Sequence, residues 1–193
     1  AMEYDVNGNQ TLVRDALGNA TVRTYGTNNQ LLTETRSTLS KAMLTTQGSM
    51  TVSGNDVSKS ASGTFGWNAG VQSTTGYVGG AGVSFSPSQT DKRLMVGLNR
   101  SPTDIGEWWD IDYGIYCEVD GKLFLVAPDA SGAATVEATA FSYSIGDTLR
   151  VTYDGTNVKY LKNGTVLKTV AVAISDPLFL DTSFCDVGAK LSN

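Results

Sequence analysis

Residues 99–112 hold the chain's densest set of groups that could do chemistry: Asn99, Arg100, Asp104, Glu107, Trp108, Trp109, Asp110 and Asp112. A tryptophan ring can stack on the C–H face of a sugar while neighbouring carboxylates and amides take up its hydroxyls. Adjacent residues on a strand point to opposite sides. The Trp108-Trp109 pair is therefore expected to send one ring into a core and leave the other at the surface; packing of both rings is the competing outcome. Asp110 and Asp112, at i and i+2, would share a face of the strand. A retaining glycosidase would need two such carboxyls about 5–5.5 Å apart, one of them with a raised pKa. Asp110, Asp112, Asp104 and Asn99 could also offer oxygen ligands to calcium, although no EF-hand spacing accompanies them. No cofactor is expected. Trp67, flanked by glycines, is expected to be buried.

Composition removes several alternatives. The 193 residues carry Lys+Arg 14 against Asp+Glu 19, a formal net charge of -5, with no histidine. That balance argues against nucleic acid and anionic membrane surfaces as partners. The absence of histidine excludes histidine-dependent triads and HExxH metal sites. The two cysteines, Cys117 and Cys185, lack CxxC spacing, so no structural zinc site is expected. They read as small buried residues, and whether they pair is left open. Gly76 to Gly82 lacks the Lys-Ser/Thr of a phosphate loop and reads as a turn. No apolar run is long enough for a membrane-spanning helix, and the polar start, Ala1-Met2-Glu3-Tyr4-Asp5, resembles no secretory leader. It reads as a piece of a longer chain.

The elements that must position the acidic stretch are strands. From Gly48 onward, period-2 segments recur at short intervals with turn residues between them. Asp120-Gly121 and Asn163-Gly164 mark type I′ hairpins, and Asp154-Gly155 marks a third turn. Across 111–119, Ile111, Tyr113, Ile115, Cys117 and Val119 form one apolar face. Leu149, Val151 and Tyr153 form another, and Val158 with Tyr160 a third. Half-buried strands of this kind imply an all-β fold, an antiparallel β-sandwich. Residues 3–36 differ: short hairpins with few large apolar residues, marginal if isolated. Residues 37–47 are a Ser/Thr-rich linker, leaving 48–193 as the sandwich domain.

Two resemblances sharpen this picture. Residues 4–36, YDVNGNQTLVRDALGNATVRTYGTNNQLLTETR, resemble the RHS/YD repeat, departing at Gly26-Thr27 where that family usually places an aspartate. The resemblance implies one β-hairpin repeat and a fraction of another, from a larger bacterial surface or secreted protein whose remaining repeats it would contact. Residues 145–167, IGDTLRVTYDGTNVKYLKNGTVL, are similar to a three-strand segment of bacterial concanavalin A-like and SPRY-like jelly-roll modules. Val96-Gly97-Leu98, residues 109–115 and residues 178–184 extend the similarity. The glycosidases among those modules use Glu-x-Asp-x-x-Glu on one strand, which Glu107 to Asp112 does not reproduce. The resemblance thus implies a concanavalin A-like jelly roll acting as a non-catalytic module that recognises a glycan or cell-surface component through Asn99, Arg100, Asp104, Glu107, Trp108, Trp109, Asp110 and Asp112. The alternatives are a structural or interaction domain of an RHS shell and, third, a glycoside hydrolase.

Overall fold

A computed structural model describes residues 2–14, 20–37, 44–54, 56–102, 106–137 and 141–192. The chain divides into two compact units, Ala1–Ala42 and Met43–Asn193.

The first unit is a four-stranded antiparallel meander: β1 Met2–Tyr4, β2 Gln10–Arg14, β3 Ala20–Tyr25 and β4 Leu31–Ser37. Its first turn is closed by one carboxylate. Asp5 accepts from the backbone N–H of Asn7 and Asn9 and from Asn9 Nδ2, each at 2.9 Å. Those bonds, the Asn9 side chain first, hold the Asp5 carboxyl below its ordinary value. Gly8 supplies the left-handed conformation at φ 82°. Across β3 and β4, Arg23 pairs with Glu34 at 2.9 Å. Residues 15–19, between β2 and β3, lie outside the described residues.

The second unit is a sandwich of two antiparallel sheets. One is eight-stranded. In spatial order it runs β13 Ala134–Val136, β12 Lys122–Pro128, β11 Tyr113–Cys117, β10 Leu94–Asn99, β18 Phe179–Phe184, β8 Gly70–Ser73 and β5 Leu44–Gln47, with β14 Phe141–Ser142 also on β12. The other runs β17 Thr165–Ala171, β16 Asn157–Lys162, β15 Leu149–Tyr153, β9 Ala81–Pro87, β19 Lys190–Ser192, β7 Asp56–Lys59 and β6 Met50–Ser53. Alternation puts Leu94, Val96, Leu98, Ile115, Cys117, Leu123 and Leu125 of the first sheet against Phe85, Leu149, Val151, Val158 and Tyr160 of the second. All are buried. The Tyr160 hydroxyl satisfies itself inside this core by donating to the Val126 carbonyl at 2.6 Å.

Turn chemistry sets the registers. Asp120 and Gly121 lie at φ 62° and 67°, and Asn163 and Gly164 at 51° and 81°, the pairs a type I′ turn requires. Asp154 caps the β15–β16 turn by accepting from the N–H of Thr156 and Asn157. Two expectations are corrected. Leu44–Gln47, the expected end of the linker, is a strand paired with β8. The strand expected over 111–119 spans only Tyr113–Cys117, because Val119 enters the Asp120-Gly121 turn.

The cysteines are both free and buried. Leu94 of β10 sits between Cys117 and Phe184, the residue before Cys185. Two strand spacings of about 4.8 Å separate those positions, more than a disulfide can span.

Candidate functional site

The acidic stretch forms the connection from β10 to β11 and lies over the sheet face opposite the main core. Asp112 closes its neck. Its Oδ2 accepts from the Arg100 N–H at 2.8 Å and its Oδ1 from Arg100 Nη2 at 2.6 Å. One carboxylate thus fixes both backbone and guanidinium at the loop's entrance. The hydrogen bond it donates to Asp112 holds the Arg100 guanidinium above its ordinary pKa.

Below the neck lies a buried polar pair. Asn99, 2% exposed, donates from Nδ2 to Asp181 Oδ2 at 2.8 Å, and its Oδ1 accepts from the Ser101 N–H. Asp181 Oδ1 accepts from the Thr182 N–H at 2.8 Å. Burial pushes the Asp181 carboxyl up to about 7. The charges of Asp110 and Asp112 add to that rise, and the bonds from Asn99 and Thr182 oppose it.

The body of the loop rests on glycines. Gly97 and Gly114 face each other across β10 and β11. A Cβ on Gly97 would meet Ile111 Cγ2 at 2.7 Å and collide with the Tyr113 carbonyl; one on Gly114 would meet Ile111 at 3.0 Å. This pair is therefore the seat of the fully buried Ile111 side chain. Ile111 packs with Met95 and Val126, flanked by Trp67, Trp108 and Tyr116. Gly106, at φ 63°, lies against Ala69, so that a Cβ there would sit 2.5 Å from the Ala69 carbonyl carbon. Its own carbonyl accepts from the Ser183 hydroxyl.

This seating decides what the tryptophans do. Trp108–Asp110 is a 3₁₀ turn, not strand, so alternation does not separate the rings. Trp108 is half-buried against the Met95 cluster, while Trp109 is 51% exposed. The rings meet edge to face, centroids 6.0 Å apart at 79°. Trp67, expected to be buried, is half-buried and packs edge-on against Tyr116 at 5.4 Å.

The other sequence candidates fall as follows. Glu107 is half-buried and its carbonyl starts the 3₁₀ turn. Asp104 lies outside the described residues. Asp110 belongs to the turn and Asp112 to the Arg100 pair, so they do not form the same-face strand pair expected for a hydrolase. Ile111 crosses to the face opposite Tyr113 because it precedes the strand. Of the oxygens considered for calcium, those of Asp112 accept from Arg100 and that of Asn99 from Ser101. Among the described residues, no three His, Cys, Asp or Glu side chains are grouped to hold a metal ion. Asp181 is absent from the sequence candidates, although alternation in FLDTSF sets it with Phe179 and Ser183, away from the core.

No family model matches the sequence, and no curated protein matches it. Solved structures do resemble the fold. A human SPRY domain is 15% identical over 76% of this chain and 94% of its own, with a TM-score of 0.59. The carbohydrate recognition domain of Emp46p, in a potassium-bound form, is 13% identical over 77% and 84%, with 0.55. A legume lectin-like domain from Entamoeba histolytica is 15% identical over 77% and 84%, with 0.53. These likenesses make the sandwich a concanavalin A-like, SPRY-like jelly roll.

Proposed function

We propose that the Met43–Asn193 unit is a non-catalytic module that binds a glycan or other cell-surface component through the β10–β11 connection. The observation that carries this reading is the state of Trp109. Its ring is half exposed yet held edge-on by Trp108, which is seated in the apolar cluster. A pre-positioned exposed ring loses little freedom on binding. Glu107, Asp110 and Asp112, with Asp104 in the same segment, favour a neutral or cationic sugar. Asn99 and Arg100 act from the neck, holding Asp181 and Asp112. Asp112 is committed to Arg100, which speaks against acid–base catalysis there. The carbohydrate recognition and lectin-like relatives of the fold agree with this function.

Glycan-array screening followed by calorimetry on wild type and Trp109→Ala tests it. The variant is expected to fold and to lose at least about tenfold in affinity, the equivalent of roughly 1.4 kcal/mol. Unchanged affinity, or no glycan bound by the wild type, rejects the reading. A second reading, an interaction domain without a small ligand, is favoured by one observation: the sheet face beneath the loop is filled by Ile111 and flanked by Trp67 and Trp108.

For the first unit, we infer an RHS/YD-type repeat of a larger bacterial surface or secreted protein, in contact with further repeats of the same parent. Support comes from the Tyr4-Asp5-x-x-Gly8-Asn9 pattern and from the work Asp5 and Gly8 do in the turn. The flanking coding sequence tests this: absence of further repeats rejects it. No helix among the described residues is long and apolar enough to cross a membrane.

A further inference from the structure

Lys59 ends β7 and is 1% exposed. Its Nζ donates toward four oxygens: the carbonyls of Gly66 at 2.6 Å, Cys185 at 2.9 Å and Phe184 at 3.0 Å, and Asn68 Oδ1 at 2.7 Å. An ammonium has three N–H groups, so four acceptors surround it as ligands surround an ion. None of the four is a carboxylate. The nearby Asp186 is engaged instead with Arg93, accepting from its N–H at 2.6 Å. The four oxygens come from the 66–68 loop and the end of β18, brought together at the tip of a strand from the opposite sheet. The shell is itself fixed: Gly66 N–H donates to the Cys185 carbonyl, Asn68 N–H to the Gly66 carbonyl, and Asn68 Nδ2 to Thr64 Oγ1.

We propose that Lys59 is a tethered monovalent cation occupying a four-oxygen site, and that this site binds a primary ammonium ion from solution once the side chain is truncated. Asp186 adds a favourable charge nearby without touching Nζ, and an ammonium whose direct ligands are all uncharged is tolerated only where dipoles replace the lost water. The carbonyls and the Asn68 amide do that here. The ammonium also fixes the loop that carries Trp67, and Trp67 stands on Tyr116 beside the cluster that seats Trp108. Lys59 is therefore a positioning residue for the opposite sheet face. This inference is independent of what Trp109 binds.

The test is Lys59→Ala, which removes the atoms from Cγ to Nζ, the size of n-propylammonium. Thermal unfolding is followed in n-propylammonium chloride and tetramethylammonium chloride at equal ionic strength. The expected result is a Tm about 10 °C below wild type. n-Propylammonium then raises it saturably and tetramethylammonium does not, while wild type responds to neither. An identical response of the variant to both salts overturns the proposal. Should the variant not fold in plain buffer, refolding in n-propylammonium alone supports the site, and refolding in neither salt overturns it. Wild type gives an independent readout: acetic anhydride is expected to spare Lys59 in the folded protein while modifying exposed Lys122. Equal labelling of the two also overturns the proposal.

Discussion

Replacing Asp181 by Asn should flatten the pH dependence of the jelly roll's stability. The Asp181 carboxyl is raised by burial from 3.8 to about 7, with Asp110 and Asp112 as the charged groups that add to the shift. Between those values the folded chain keeps a proton that the unfolded chain releases, so stability falls as pH rises through this window. Below about pH 3 both states are protonated and the contribution is constant; above about pH 8 both are ionised and the loss is complete. A gap of about three units at roughly 1.4 kcal/mol each gives about 4 kcal/mol at most. Asp5, Asp129, Asp147 and Asp154 have lowered values, so their contributions are lost in acid, below this window.

The substitution also has a pH-independent cost. Both oxygens of Asp181 accept, from Asn99 Nδ2 and the Thr182 N–H, and Asn99 Oδ1 is already taken by Ser101. An amide at 181 can serve only one of the two donors, leaving a mismatch worth about 1–3 kcal/mol. Asp181→Asn should therefore be less stable than wild type at pH 4.5, and the difference should close or reverse by pH 8. Urea unfolding followed by tryptophan fluorescence at half-unit pH steps measures this. A difference between the two proteins that stays constant to within about 0.5 kcal/mol across the range would falsify the assignment. So would a carboxyl-carbon NMR titration placing Asp181 near an ordinary aspartate.

Three further outcomes follow from the same geometry. Gly97→Ala should destabilise by more than about 2 kcal/mol in urea, because the new methyl would collide with the Tyr113 carbonyl as well as with Ile111 Cγ2. Gly114→Ala, whose Cβ would have side-chain atoms of Ile111 and Met95 as its nearest neighbours, should cost less; the reverse order contradicts the seat assigned to Ile111. Cys117 should resist thiol reagents in the folded protein, since burial raises its pKa and hides the sulfur, and its labelling rate should track unfolding; rapid labelling in native buffer counts against the core placement.

Legibility from sequence divides along the distance over which each feature is encoded. The β15–β16–β17 meander was readable because its instructions are local: Asp154 caps its own turn, Asn163-Gly164 supplies two left-handed residues, and alternation places Val158 and Tyr160 inside. β5, β8 and β19 were not recognised because they are short and find partners far along the chain, as Leu191 does with Pro87 and Gln47 with Gly70. Their pairing depends on the assembled sheet, with no signal of their own.

Strand alternation does not govern the candidate loop. Alternation would have made Trp109 and Ile111 follow the strand that starts at Tyr113. In the fold, two facing glycines, Gly97 and Gly114, leave a hollow that draws Ile111 down onto the sheet. That single anchoring makes the preceding residues turn, as the Ile111 N–H donates to the Trp108 carbonyl at 3.2 Å. The turn then presents Trp109 outward and lays Trp108 onto the cluster. Composition put the aromatic and acidic groups in the loop; the paired glycines decide which ring faces solvent. Larger residues at both glycine positions should therefore move the exposed tryptophan without touching it. A Gly97→Ala/Gly114→Ala protein that still folds should show a shifted emission maximum and altered acrylamide quenching. Wild-type emission and quenching in a folded double variant would mean that Ile111 does not set the turn.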